Sequence, residues 1–124
     1  MIKIICIGKL KENYLKEAIN DYLKRINKYH KIEIIELPDS NIDNEGNELS
    51  STELAYKIDK SFITNSTITF IIGGSNGIRN DIKEKSNYKL SFSKLTFPHG
   101  LFRLILLEQI YRSFKILNNE TYHK

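Results

Sequence analysis

The sequence predicts an α/β fold: a mainly parallel sheet with flanking helices, in a single domain over 1–124. Three observations carry this. Short β-branched runs stop at Gly or Pro, as at Met1 to Ile7 before Gly8 and at Ile32, Ile34, Ile35, Leu37 before Pro38. Segments of helical periodicity alternate with those runs, as βαβ units require. A length of 124 residues allows one core and leaves no room for a second.

Taken in order, Met1 to Ile7 reads as a buried parallel strand closed by Gly8. From Lys11 a helix follows, with Tyr14, Leu15, Ala18, Ile19, Tyr22, Leu23 and Ile26 on one face and Lys16, Glu17, Asn20, Asp21 and Lys24 between them. His30, between this helix and the second strand, reads as solvated surface. Asp39 to Asn47 is polar and aperiodic, a loop. Ser50 followed by Glu53 has capping-box spacing and starts a helix whose buried face is Leu54, Ile58 and Phe62. Thr67 to Ile72 is a strand, Asp81 to Lys85 a short helix, and Tyr88 to Phe92 a further strand. Pro98 suits the first turn of a helix, where its missing N–H costs nothing, and that helix runs to about Leu117. Its apolar arc is wider than one sheet contact needs, so a second subunit is expected to cover it; a helix sandwiched within one domain is the other reading.

Hydrophobic residues make up 40% and charged residues 27%, ordinary values for a globular protein. No apolar run approaches the roughly 20 residues of a membrane span, and the amino end has no signal-peptide flanks, so a cytoplasmic location is expected. The single Cys6, between Ile5 and Ile7, reads as a small buried hydrophobe. A net charge of +4 permits a polyanionic partner without specifying one.

Two stretches invite a ligand. The strand ending at Ile72 stops in Gly73, Gly74, Ser75, Asn76, Gly77, and the strand ending at Phe92 runs into Ser93, Lys94, Leu95, Thr96, Phe97, Pro98, His99. Two such loops at the same sheet edge would form a crevice, where open α/β sheets bind ligands. The glycine loop lacks the Lys-Ser/Thr of a phosphate loop and the dinucleotide spacing. Three histidines without mutual spacing and one cysteine predict no metal site, and no Ser or Cys has the context of a nucleophilic triad.

The same stretches carry a family resemblance. Ile72, Gly73, Gly74 with Gly77, the run Leu90 to His99, then Arg103, Glu108, Tyr111 and Arg112, and finally Tyr122 and His123 resemble the ribosomal large-subunit methyltransferase H family of SPOUT methyltransferases. At the amino end Ile7, Gly8, Lys9, Leu10, Lys11, Tyr22 and Arg25 extend the likeness. The resemblance implies S-adenosylmethionine-dependent methylation of N3 of a pseudouridine in 23S rRNA on the assembled ribosome. It also implies a carboxyl-terminal trefoil knot, which no periodicity reveals, and a homodimer. The sequence departs from the family between Pro38 and Gly46, where members carry about thirty more residues, the size of a strand-helix unit. The strand of that unit supplies one wall of the family's cofactor pocket.

Methyl transfer from a sulfonium is an in-line displacement, so the protein chiefly holds donor and acceptor in near-attack geometry. Close backbone approach suits Gly73 and Gly74, and the family's cofactor contacts carry over to Gly73 and to Phe92, Ser93, Lys94, Leu95, Thr96 and Phe97. The acceptor nitrogen must lose a proton, which a base or an anion-stabilising charge assists. His99, Arg103, Tyr122 and His123 are the candidates. For each a plainer reading stands beside this one: His99 as a helix-start residue, Arg103 paired with Glu108 or a phosphate, and Tyr122 and His123 as a frayed end. The alternative function is a shortened relative that has lost catalysis and acts as a dimeric RNA- or ribosome-binding module. A nucleotide-binding regulator using the glycine loop is a third reading.

Overall fold

The computed structural model describes residues 1–37, 47–73, 80–93, 95 and 97–122, apart from the side chains of Asn47, Glu48, Asn80, Asp81, Ile82 and His99. In chain order the elements are β1 (Ile2–Ile7), α1 (Asn13–Asn27), β2 (Ile32–Leu37), β3 (Asn47–Glu48), α2 (Ser51–Thr64), β4 (Ile68–Ile72), α3 (Asn80–Lys85), β5 (Leu90–Ser91) and α4 (His99–Leu117). None of these helices is long and apolar enough to cross a membrane.

β1 lies between β2 and β4 in a parallel three-stranded sheet, with Ile2 opposite Ile32 and Ile68, and Cys6 opposite Glu36 and Ile72. Its apolar character, broken only by Lys3, suits that central place, because a central parallel strand has a neighbour on each edge. Ile2, Ile4 and Cys6 share one face by the two-residue strand period and are wholly buried. They meet Leu15, Ile19 and Ile26 of α1 and Leu106, Leu107 and Ile110 of α4 in one continuous core. The Cys6 side chain is thus the small buried hydrophobe its neighbours predict, and burial pushes its thiol up to about 11.

α2 begins as the sequence predicts. The Glu53 amide donates to Ser50 Oγ at 3.1 Å and the Ser50 amide donates to Glu53 Oε1 at 2.9 Å, closing both halves of the capping box. Leu54 and Ile58 are buried, together with Ala55, and Phe62 packs on the edge of the core.

Several expectations change. The wide apolar arc of α4 packs against both α1 and α2 within the chain, while Leu101 stays exposed and Phe102, Leu104, Ile105 and Leu117 are half-buried. β4 and β5 do not share a sheet: β5 pairs with β3 as a separate parallel two-stranded sheet, Asn47 opposite Leu90 and Glu48 opposite Ser91. The expected crevice between their loops therefore does not arise from one sheet edge. Asn47, expected in a loop, opens β3, and the strand expected over Tyr88 to Phe92 shrinks to Leu90–Ser91, since two residues of partner can satisfy no more. Pro98 is the N-cap of α4 rather than its first helical residue; its ψ of 143° is extended. His30 is half-buried and stacked on Phe62 with ring centroids 4.4 Å apart, not solvated surface. The polar stretch 38–46 and the glycine loop 74–79 lie outside the described residues.

Gly8 turns the chain out of β1 with φ +97°, a left-handed conformation that strains any side chain. Its amide donates to the Leu37 carbonyl at 2.7 Å, which ties the exit of β1 to the end of β2. At the start of α4, Gly100 permits close approach to α1: a Cβ there would come within 2.8 Å of Leu15 Cδ1 and 2.9 Å of Leu10 Cδ1.

Candidate active site

A cavity of about 310 Å³ opens between the small β3–β5 sheet, the start of α2 and the middle of α4. Leu49, Ser50, Ser51 and Leu54 line it from the α2 side, Leu90, Phe92 and Phe97 from β5 and the loop after it, and Ile105 and Gln109 from α4. Small-molecule sites occupy about 300–1,000 Å³ and are mostly apolar with a few placed polar groups, so the cavity is at the small end of that class. Phe92 is held by a tilted contact with Phe102, their centroids 4.9 Å apart. Ile105 and Gln109 are one helical turn apart and so face the cavity together.

Two polar residues of the cavity, Ser51 and Gln109, are hydrogen-bonded to each other, while Ser50 is engaged in the α2 capping box. Ser51 Oγ donates to Gln109 Oε1 at 2.5 Å, and Gln109 Nε2 donates to Glu108 Oε2 at 2.9 Å. Glu108 is the junction of the network, since its Oε1 also accepts from Arg112 Nη2 at 2.6 Å and from the Tyr122 hydroxyl at 3.3 Å.

Of the residues expected to hold a cofactor, Phe92 and Phe97 come together in this cavity. Ser93 folds into a local turn, its Oγ accepting from the Leu95 amide at 3.0 Å, and the Leu95 side chain is 73% exposed. Gly73 follows β4 directly; continuing the register of Cys6 with Ile72 sets it beside Ile7, at the end of the larger sheet. Gly74, Lys94 and Thr96 lie outside the described residues.

Of the residues expected to act on the acceptor, the two that are described, Arg103 and Tyr122, belong to different hydrogen-bond clusters. Arg103 is only 4% exposed and pairs with Glu36, Nη1 to Oε2 at 2.8 Å, not with Glu108, whose partner is Arg112. Arg103 Nη2 also donates to the Gly8 carbonyl at 3.3 Å, while its Nε is buried without a partner among the described residues. Glu36 Oε2 accepts in addition from the Leu10 amide at 2.7 Å. That amide, followed by Arg103, holds the Glu36 carboxyl below its ordinary value. The cluster fastens α4 to the carboxyl ends of β1 and β2.

Tyr122 is docked, not frayed. Beyond α4, Asn119 takes a left-handed φ of 55°, the Asn119 amide donates to the Ile116 carbonyl at 3.1 Å, and the Glu120 amide donates to the Lys115 carbonyl at 2.9 Å. This Schellman closure reverses the chain. Glu120 then accepts from the Tyr29 hydroxyl and from Lys115 Nζ, each at 2.7 Å. The Tyr122 ring meets Tyr111 edge-on at 5.0 Å, with the Arg112 guanidinium 4.9 Å from its centroid. Burial, then a hydrogen bond with Tyr22, pushes its phenol up to about 12, so at neutral pH the hydroxyl keeps its proton and donates it to Glu108. It reaches the cavity through Glu108 and Gln109. His123 and the His99 side chain lie outside the described residues.

Glu36, Ser51 and Gln109 were not singled out from the sequence. Glu36 had a weak signal, a carboxylate near the carboxyl end of a strand that also carries Glu33, and so had Gln109, an amide one turn from Ile105 on an apolar helix. Ser51 had none beyond its place beside a capping box.

Comparison with known proteins identifies the family. The family described as "Predicted SPOUT methyltransferase" matches in two stretches, 1–45 and 40–123. The chain is 48% identical to the putative ribosomal RNA large subunit methyltransferase H of Methanococcus maripaludis over 157 aligned positions. It is 43% identical to ribosomal RNA large subunit methyltransferase H of Acetivibrio thermocellus and 42% identical to ribosomal RNA large subunit methyltransferase H 1 of Clostridium perfringens. In all three comparisons 99% of both chains is covered. Since 157 positions are aligned against a chain of 124 residues, at least 33 positions of each relative have no counterpart here. The two matched stretches meet at Ser40 to Glu45, within the span where the sequence departs from the family. The chain therefore belongs to the ribosomal RNA large subunit methyltransferase H family of SPOUT methyltransferases, as an internally shortened member.

Proposed function

We propose that this protein is an S-adenosylmethionine-dependent methyltransferase acting on N3 of a pseudouridine in 23S rRNA within the assembled ribosome. The observation that carries the proposal is the cavity that gathers Phe92 and Phe97, both from the stretch expected to contact the cofactor, against Gln109 of α4. Aromatic and aliphatic walls with one polar edge fit the planar base of a nucleoside cofactor, so Phe92, Phe97, Leu54 and Ile105 would hold that base and Gln109 would orient it. When bound, S-adenosylmethionine supplies an electrophilic methyl group. Gly73 leaves the backbone open to close approach at the end of β4. In the same proposal Gly74, Ser93, Lys94, Leu95 and Thr96 complete the cofactor-binding stretch, and His99 and His123 are the groups offered to the acceptor's proton.

Arg103 serves this site by positioning. Its two nitrogens fix Gly8 and Glu36, and with them the turn into Leu10 against which α4 starts. Tyr122 holds Glu108 by a neutral hydrogen bond. Family membership supports a cytoplasmic homodimer as the working form, and the protein's mass in solution tests the dimer. Transfer of labelled methyl from S-adenosylmethionine to 23S rRNA in purified ribosomes lacking the modification tests the function. Incorporation confined to 23S rRNA is expected; none at saturating cofactor contradicts it.

A second reading rests on the loss of at least 33 positions from the stretch that supplies a pocket wall in the family. In it the protein is a non-catalytic ribosome-binding module. It predicts co-sedimentation with ribosomes and no cofactor binding, and measurable cofactor affinity rules it out.

A further inference from the structure

We infer that Ser51 and Gln109 are the specificity-determining pair of the cavity, and that they read the exocyclic amine of an adenine base through Ser51 Oγ. The inference rests on the proposal that a nucleoside cofactor occupies this cavity. It follows from the direction of each hydrogen bond in a short chain. The Glu108 carboxylate, ion-paired to Arg112 at 2.6 Å, can only accept. Its Oε2 therefore takes the amide nitrogen of Gln109 at 2.9 Å, which fixes the orientation of that amide and turns Oε1 towards Ser51. An amide oxygen has no proton, so across the 2.5 Å contact the Ser51 hydroxyl must be the donor.

With its only proton committed, Ser51 Oγ presents lone pairs alone to a ligand. Among the described residues the rest of the cavity wall is Leu, Ile and Phe apart from Ser50, whose Oγ already caps α2. A flat, mostly apolar base that offers an N–H at one edge suits this cavity. A 6-oxo base does not, because its oxygen would face the Ser51 lone pairs and no proton would lie between them. Ribose hydroxyls and a charged amino acid would need more polar partners than the described walls provide.

Calorimetric titration of the full chain with S-adenosylhomocysteine and with its hypoxanthine counterpart, S-inosylhomocysteine, tests the inference without any turnover. The wild type is expected to prefer the adenine compound by at least about tenfold, the scale of one hydrogen bond gained and one acceptor clash avoided. Ser51→Ala should lower adenine affinity and bring the two compounds within about twofold of each other. Gln109→Leu releases the Ser51 proton to donate to the 6-oxo group, so it should raise affinity for the hypoxanthine compound while lowering it for the adenine one. A merely structural role would weaken both equally. Thermal melts of each variant establish that it is folded. A wild-type preference that survives both substitutions overturns the inference, as does a wild type that binds both compounds equally. Failure of the folded wild type to bind either compound overturns the cofactor reading of the cavity itself, and this inference with it.

Discussion

The Arg103–Glu36 pair shows how one residue's surroundings decide its worth. Arg103 has a side chain only 5% exposed and Glu36 one that is 39% exposed, whereas the Arg25–Asp21 pair on α1 is 44% and 57% exposed. Removing the Glu36 charge leaves a buried guanidinium uncompensated, although a glutamine oxygen can still accept from the Leu10 amide. Glu36→Gln should therefore destabilise towards the lower end of the ~3–5 kcal/mol typical of a broken buried pair, because Glu36 is partly in water. Asp21→Asn should cost no more than about 0.5 kcal/mol. Denaturant unfolding of the two variants gives the comparison. The pair also has a pH signature. The Glu36 carboxyl is held below the ordinary value of 4.5, so its contribution is fully present above that value and is lost as pH falls through its folded-state value. Acid unfolding should begin at higher pH without the pair, and between neutral pH and 4.5 the wild type's advantage over Glu36→Gln should stay constant. An advantage that grows on acidification would contradict this.

The helix ends give the clearest tests among the elements. Ser50 closes both bonds of the α2 capping box, so Ser50→Ala should cost about 1 kcal/mol, read as a lower denaturant midpoint with an unchanged slope. Asn119 pays the left-handed penalty at the carboxyl end of α4, where Gly carries none; Asn119→Gly should be neutral or stabilising, and Asn119→Val should destabilise. Unchanged stability in Asn119→Val would mean that the Schellman turn does not hold the tail. These ends were unequally legible in the sequence. The capping box is a local pattern and announced α2 directly. The turn at Asn119 and the docking of Tyr122 depend on Tyr29 and Tyr22, far away in the chain, and no local spacing carries that. The strands show the same division: β1, β2 and β4 are apolar runs long enough to be read, while β3 exists only because two of its residues find β5.

For the molecule as a whole, periodicity was enough to give parallel strands with flanking helices, because each helix face and strand face is set by residues close in sequence. It was not enough to show how they assemble. Much of the arc of α4 is met by α1 and α2 of the same chain, and the expected crevice lost its shared sheet edge once β4 and β5 fell into different sheets. Ser51 and Gln109, 58 positions apart, meet only through that packing, which is why the cavity's polar edge was not read in advance. The central claim is that this shortened chain still forms a cofactor site between α2, β5 and α4. Calorimetric titration with S-adenosylmethionine, repeated on an Ile105→Trp variant that fills the cavity and is verified as folded by its melt, tests it most directly. The account predicts saturable one-site binding to the wild type and its loss in the variant; no binding to the folded wild type, or equal binding to both, would contradict it.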